Sequence, residues 1–266
     1  MKQITFFTIL FLLLRQISFS QDTDTISGLM EDFVRIQKGD TTFFKSNDSI
    51  SLTEGVYKIF QKDGTIDIVP IDKNGELTGI IISTSVDGYK KMYNYNNGVI
   101  EGLIQHWDNG ILLLEDKIEN GKQLYSKMYF TNGEIVFIKL FKNGEATSAK
   151  EYYANRKLKY VYLYENNKIV SEKNYFKNGK IEEDILFIDD INYIKKRYSR
   201  EGTLLFFDDT KKQIEQHFND NKVLIYEKKL VDVKLKKVEE KKYSDKGKLK
   251  SIMTYVDGLL VNMELK

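Results

Sequence analysis

The sequence contains no cysteine, one proline (Pro70), one tryptophan (Trp107) and two histidines among its 266 residues. Without thiols there is no disulfide framework, no Cys-based zinc site and no thiol nucleophile. With a single proline there are no collagen-like repeats and no Pro-rich linkers. The chain also lacks a long apolar run: the longest, Ile4 to Leu14, falls short of the roughly 20 residues that span a bilayer as a helix. Nor does one sign of charge dominate, with 41 basic residues against 39 acidic. Aromatic residues are abundant, 17 Tyr and 16 Phe, in a chain that is 41% hydrophobic and 30% charged. That is the composition of a folded protein rather than a disordered one.

Lys2, the apolar run and then Ser18-Phe19-Ser20 read as a secretory signal peptide over residues 1–20, cleaved before Gln21. Its removal takes Lys2 and Arg15 and no acid, so the mature chain is neutral. The expected location is outside the cytoplasm: periplasm, outer envelope surface or extracellular. Residues 21–54 carry no repeat signal. Ile26 to Lys38, with Leu29, Met30, Phe33, Val34 and Ile36, is expected to form a short helix or strand capping the first hairpin, since repeat arrays need end caps.

Residues 55–266 are repetitive, and a missed repeat would misname the fold. Turn signals recur at Gly98, Gly110, Gly121, Gly133 and Gly144, each preceded by Asn, in alternating steps of twelve and eleven residues. The period is 23 residues per pair of turns. It continues through Asn155-Arg156, Asn166-Asn167, Asn178-Gly179, Asp189-Asp190 and Glu201-Gly202, with looser copies from Asp63-Gly64 to Asp257-Gly258.

Asn-Gly is the strongest short hairpin signal because a two-residue type I′ turn needs positive φ at both central residues. Placed in such turns, Tyr95 faces Ile100, Trp107 faces Leu112, Phe130 faces Ile135, Tyr153 faces Leu158, Tyr164 faces Ile169 and Phe176 faces Ile181. Phe141 facing Ala146 and Ile118 facing Gln123 are weaker copies. Aromatic-to-aliphatic cross-strand pairs are worth roughly 0.2–1 kcal/mol each. The fold class is therefore all-β: an elongated antiparallel meander of tandem hairpins in one twisted sheet, about eighteen strands and roughly 80 Å long.

Tyr129-Phe130-Thr131-Asn132-Gly133-Glu134-Ile135 and Tyr175-Phe176-Lys177-Asn178-Gly179-Lys180-Ile181 resemble the bacterial variant of the MORN repeat, about 23 residues with an aromatic-x-Asn-Gly-x-aliphatic core. The likeness covers roughly residues 55–265 and departs from the family at Arg156 and Asn167, where the repeat has glycine. It implies an elongated sheet of hairpins serving as a protein-interaction or membrane-associated scaffold. Some members are antitoxins of toxin–antitoxin pairs, which implies the alternative of an immunity-like inhibitor. The signal peptide argues against a cytoplasmic toxin as its target.

A second stripe lies one residue before the turn aromatics. Tyr129, Tyr152, Tyr175 and Tyr198 alternate with Leu140, Leu163 and Leu186. Tyr129, Tyr152 and Tyr175 are expected opposite Val136, Lys159 and Glu182, on the face away from Phe130 and Phe176. This row is the candidate binding stripe, for sugars, a partner peptide or a second copy; covering a twisted sheet is the plainer account of it. Residues 211–250 hold thirteen Lys and seven acids, which fits either an anionic membrane or protein partner or lysines that guard sheet edges.

Catalytic chemistry has little to stand on. His106 and His217 are far apart in sequence. The acidic pairs at Asp189-Asp190 and Asp208-Asp209 sit at or beside turns, where Asp is a turn former. No phosphate loop, Ser nucleophile motif, metal set or cofactor motif is present, and nothing indicates nucleic acid as a partner. The expected function is a non-catalytic exported scaffold that binds a protein or envelope component, with self-association among its expected modes.

Overall fold

The structure is a computed structural model that describes residues 25–29, 33–38, 41–46, 52 and 54–266. The expected signal peptide, residues 1–20, lies outside the described residues. All regular structure among the described residues is β, arranged in two compact units, residues 1–110 and 111–266.

In the first unit the cap segment is built of strands, with no helix among its described residues. Strand β1 (Thr25–Leu29) lies parallel to β4 (Gly55–Phe60). Parallel neighbours need a crossover rather than a tight turn, and here it contains an antiparallel hairpin of β2 (Phe33–Lys38) and β3 (Thr41–Ser46). From β4 the chain meanders through β5 (Ile66–Ile71), β6 (Gly79–Thr84), β7 (Tyr89–Asn96) and β8 (Val99–Asp108). Tyr57, Ile59, Val69, Ile71, Leu77 and Tyr95 form its buried core. Pro70 is tolerated in β5 because the regular β5–β6 ladder stops at Ile68 opposite Ile82, so no ladder bond is lost to its missing N–H. In β8, Gly102 has a φ of 101°, and a Cβ there would lie 2.6 Å from the Asn94 amide nitrogen. It marks a bulge where Tyr93 pairs with Ile104 and Tyr95 with Ile100.

The second unit is an antiparallel meander of fourteen strands in chain order. These are β9 (Ile111–Glu119), β10 (Lys122–Tyr129), β11 (Ile135–Lys142), β12 (Glu145–Tyr152), β13 (Leu158–Glu165), β14 (Lys168–Tyr175) and β15 (Ile181–Phe187). They continue as β16 (Tyr193–Tyr198), β17 (Leu204–Asp209), β18 (Ile214–Phe218), β19 (Leu224–Asp232), β20 (Lys237–Tyr243), β21 (Leu249–Val256) and β22 (Leu259–Leu265). Among the described residues, its only fully buried apolar side chains are Ala146 and Ala149. The larger side chains are half-covered by their neighbours on the same sheet, so cross-strand pairs take the place of a second packed layer.

From Asn120 to Gly179 two turn types alternate. Asn120-Gly121, Asn143-Gly144 and Asn166-Asn167 are two-residue turns with positive φ at both positions, 56° and 87° for Asn143 and Gly144 and 49° and 60° for Asn166 and Asn167. Here the expected pairs are present: Ile118 with Gln123, Phe141 with Ala146 and Tyr164 with Ile169. The intervening turns have three residues. Phe130 N–H donates to the Glu134 carbonyl at 2.7 Å and Gly133 N–H to the Phe130 carbonyl at 2.9 Å, and the same pattern repeats at 153–157, 176–180, 199–203, 219–223 and 244–248. Only the third loop residue has positive φ, so Arg156, at 66°, stands in the left-handed region where most copies place glycine.

This corrects the expected register at every second turn. Phe130, Tyr153 and Phe176 open the loops and bond across to Glu134, Lys157 and Lys180. The residues opposite Ile135, Leu158 and Ile181 are Tyr129, Tyr152 and Tyr175, and Tyr198 stands opposite Leu204. Val136, Lys159 and Glu182 are the extra residues of β-bulges, not the partners of the tyrosines. The physical cause is the added loop residue, which moves each aliphatic one position along. Both the Phe130, Tyr153, Phe176 set and the Tyr129, Tyr152, Tyr175 set are half-buried.

The corrected register decides which aromatic truncations cost stability. Tyr175 lies opposite an aliphatic partner, Ile181, across the ladder. Phe176 lies at the open end of a loop with the Arg200 guanidinium 6.0 Å from its ring centroid. Tyr175→Ala should therefore destabilise at least as much as Phe176→Ala. Both should cost about 2 kcal/mol rather than the roughly 3–5 kcal/mol of a full core truncation. Denaturant melts of the two variants test this; a Phe176→Ala loss well above that of Tyr175→Ala would restore the two-residue register.

Candidate interaction surface

Strand alternation and the corrected register assemble three parallel rows on one face of the second unit. The first runs Tyr125, Leu140, Ser148, Leu163, Ser171, Leu186, Ile194, each opposite the next. The second runs Lys127, Ile138, Lys150, Val161, Lys173, Asp184, Lys196. The third holds Tyr129, Tyr152, Tyr175 and Tyr198 with their aliphatic partners. The tyrosine stripe visible in the sequence is thus joined by a lysine row that sequence reasoning missed. Its signal was in plain view, because Lys127, Lys150, Lys173 and Lys196 recur at the 23-residue period, each two residues before a tyrosine of the stripe.

Side-chain contacts confirm that these rows share a face. Glu115 on β9 accepts hydrogen bonds from the Tyr125 hydroxyl at 3.0 Å and the Tyr129 hydroxyl at 3.5 Å, and its carboxylate lies 3.6 Å from Lys127 Nζ. Farther along, Ser171, Lys173, Asp184, Leu186, Ile194 and Lys196 line a hollow of about 240 Å³. The leucines stand proud of the serines between them: Leu140, Leu163 and Leu186 are 40%, 45% and 50% exposed. Lys173 is paired with Asp184 at 2.8 Å.

The opposite face is aromatic and carries charges of both signs. Across it run Glu151, Tyr160, Asn174, Glu183 and Arg197, with Tyr160 and Tyr162 stacked at 5.9 Å. Glu172 on this face is held above the usual carboxylate range, first by burial and then by the charge of Glu183. Glu151 and Glu183 are ion-paired with Lys159 and Lys195, each at 2.6 Å.

The three-residue turns stack into a ladder along one edge. Asn155 Nδ2 donates to the Lys177 carbonyl at 3.2 Å and Asn178 Nδ2 to the Arg200 carbonyl at 2.9 Å. Their side-chain oxygens cap the loops by accepting from Lys157 N and Lys180 N. Arg156 pairs with Glu134 of the preceding turn, which ties down a residue of unfavourable φ.

The two histidines lie in separate surroundings. His106 Nδ1 lies 3.0 Å from the Tyr89 hydroxyl in the first unit. His217 is sandwiched edge-on between Phe206 and Tyr226, with Nε2 2.6 Å from Glu215. No set of three His, Cys, Asp or Glu residues that could hold a metal ion occurs among the described residues. In the lysine-rich 211–250 region, Lys212, Lys228, Lys236, Lys237 and Lys241 are each ion-paired with a nearby acid, which reduces the positive field suggested by composition.

No protein-family model and no curated protein matches the chain. Among solved structures, similarity is found to the crystal structures of TcdB2-TccC3 and of TcdB2-TccC3-Cdc42. Each is 12% identical over 81% of this chain, with TM-scores of 0.18 and 0.17. The chain spans 16% and 15% of the lengths of those two proteins.

Half-burial leaves a titration signature. Tyr125, Tyr162 and Tyr226 are each pushed up to about 12, burial being the largest cause in all three and Glu115 adding to it at Tyr125. A phenol ionises near about 10 in the unfolded chain, so the unfolded state loses these protons first. Their contribution to stability is therefore complete below about pH 10 and is lost as pH rises from about 10 to about 12. Burial also raises Tyr129, Tyr164, Tyr193 and Tyr198, so spectrophotometric titration should show at least three tyrosines ionising well above the ordinary phenol range. Glu115→Gln should bring Tyr125 part of the way back towards the ordinary phenol value and leave Tyr162 and Tyr226 unmoved. A single tyrosinate transition at the ordinary phenol value would contradict the half-buried rows.

Proposed function

We propose that the protein is a non-catalytic, MORN-like β-hairpin repeat scaffold exported to the bacterial envelope, where it binds a partner across the Tyr–Lys–Leu face. One observation carries this reading. Leu140, Leu163 and Leu186 are held at the same register position on alternate strands, each 40% or more exposed, with serines recessed between them. A side chain with only a structural task in a half-buried sheet gains by lying down on its neighbours, and a repeated exposed leucine is costly in water unless it is covered by something else. The signal peptide and the family resemblance supply the location and the scaffold class.

The test removes the leucine row without touching the fold. Leu140→Asn, Leu163→Asn and Leu186→Asn together should change stability by about 1 kcal/mol or less, as surface substitutions do. They should also abolish capture of envelope components that the unaltered protein retains from an envelope extract. A photo-crosslinking residue at position 163 should give adducts, and one at Tyr162, on the other face, should not. Capture that survives the triple substitution would put the partner elsewhere or remove it.

A further inference from the structure

We infer that the partner of this face is a linear acidic polysaccharide carrying one carboxylate per two sugars, laid across the strands along the lysine and tyrosine rows. The inference rests on the reading of this face as the interaction surface and names the chemistry of what it takes. Four identical units repeat on alternate strands: Lys127 with Tyr129, Lys150 with Tyr152, Lys173 with Tyr175, and Lys196 with Tyr198. Each pair is separated by one residue of a strand, so both side chains rise from the same face. Strands two apart lie about 9.6 Å from each other, close to the advance of two extended pyranose rings, so lysine and carboxylate stay in step over the length of the array.

The chemistry of each unit fits such a chain. A lysine ammonium meets a carboxylate as a mobile point charge, which tolerates a flexible polymer better than a bidentate fork does. Phenol rings offer an apolar flank for sugar C–H faces and a polar tip at the same time. Lys150 and Lys196 are not among the ion-paired lysines, whereas Lys127 and Lys173 face Glu115 and Asp184 and exchange or share those partners to take the polymer's carboxylate, so the firmest contacts are those at Lys150 and Lys196. Between Lys173 and Lys196 the recessed Ser171 opens the hollow of about 240 Å³ walled by Leu186 and Ile194, room for one sugar ring beside the charged row. On the opposite face Glu151 and Glu183 are already neutralised by Lys159 and Lys195, and no row of lysines at alternate strands is offered to the polymer there.

Four weak units on one rigid sheet act through effective concentration, so affinity should climb with the length of the ligand only until the array is filled. Hyaluronan oligosaccharides, with one carboxylate per disaccharide, are the probe, and the neutral chitin octasaccharide is the control of similar backbone. Calorimetry on the full chain at low salt should show affinity rising from tetra- to octasaccharide and then levelling off, with a steep fall as salt is added. Lys150→Ser with Lys196→Ser should weaken the octasaccharide by about tenfold or more. Lys211→Ser with Lys250→Ser, the same charge removed elsewhere, should leave it nearly unchanged. Tyr152→Ser should weaken binding, and Tyr152→Phe, which keeps the ring and the fold, should not.

The proposal is overturned if the hyaluronan octasaccharide shows no saturable binding, if the chitin octasaccharide binds equally well, or if the two double-lysine variants behave alike. Such a failure with leucine-dependent capture intact removes the polysaccharide and leaves the scaffold reading standing. Failure of both removes the scaffold reading as well.

Discussion

Everything in the second unit depends on pairing between neighbouring strands, because nothing else among the described residues covers them. A sheet normally hides one face against a helix or another sheet, yet here the only fully buried apolar side chains are alanines. Each strand is held by its two ladders and by side chains that lean on those next door. The aromatic residues suit this arrangement: a tyrosine beside an isoleucine shields apolar area on both while leaving the hydroxyl in water or on a carboxylate, as Tyr125 and Tyr129 do with Glu115. Stability is spread thinly along the sheet instead of concentrated at a centre, so local register matters more than in a layered fold.

That register was only half legible in the sequence. The positions of the turns, the absence of helix in the repeats and the pairs flanking Asn143-Gly144 and Asn166-Asn167 follow from turn chemistry and alternation. The pairs flanking Asn132-Gly133 and Asn178-Gly179 do not, because the same dipeptide serves two geometries. In the two-residue turn Asn itself takes positive φ. In the three-residue turn only Gly does, and the Asn side chain caps the loop and bonds to the next turn. From Gly121 onward the alternation of twelve- and eleven-residue steps follows this difference, whereas the twelve-residue step from Gly98 to Gly110 joins two two-residue turns through the ten-residue strand β8. Arg156 points the same way: two adjacent positive φ values would have been a poor fit for Asn155-Arg156, while a single one at Arg156 is tolerable with Glu134 beside it.

The candidate surface was legible in part for a related reason. Tyrosines attract notice in a sequence and lysines do not, since a lysine on a strand is ordinarily a solvated residue. Only the shared face gives Lys127, Lys150, Lys173 and Lys196 a collective meaning, and what borders them on that face depends on the bulges at Val136, Lys159 and Glu182. By absorbing the extra residue there, the bulges bring Ile135, Leu158 and Ile181 opposite the tyrosines while Ile138, Val161 and Asp184, three positions later, stand opposite the lysines. With the expected register the tyrosines would have faced a mixed set of partners.

The alternation of turn types also constrains how such a chain can change length. Because the two edges carry different turns, and the side-chain pattern of a strand recurs only on the second strand along, the smallest removable piece is 23 residues. Deleting one hairpin between equivalent points, such as the Asn of successive three-residue turns, rejoins Asn132 to the chain after Asn155 with faces, bulges and the inter-turn ladder in phase. Deleting eleven or twelve residues would put a two-residue turn on the wrong edge and turn every later strand over. Tandem duplication and loss by unequal recombination are thus restricted to whole hairpins, and the reach of the sheet can be reset in steps of two strands without redesigning a core, because no core spans the repeats.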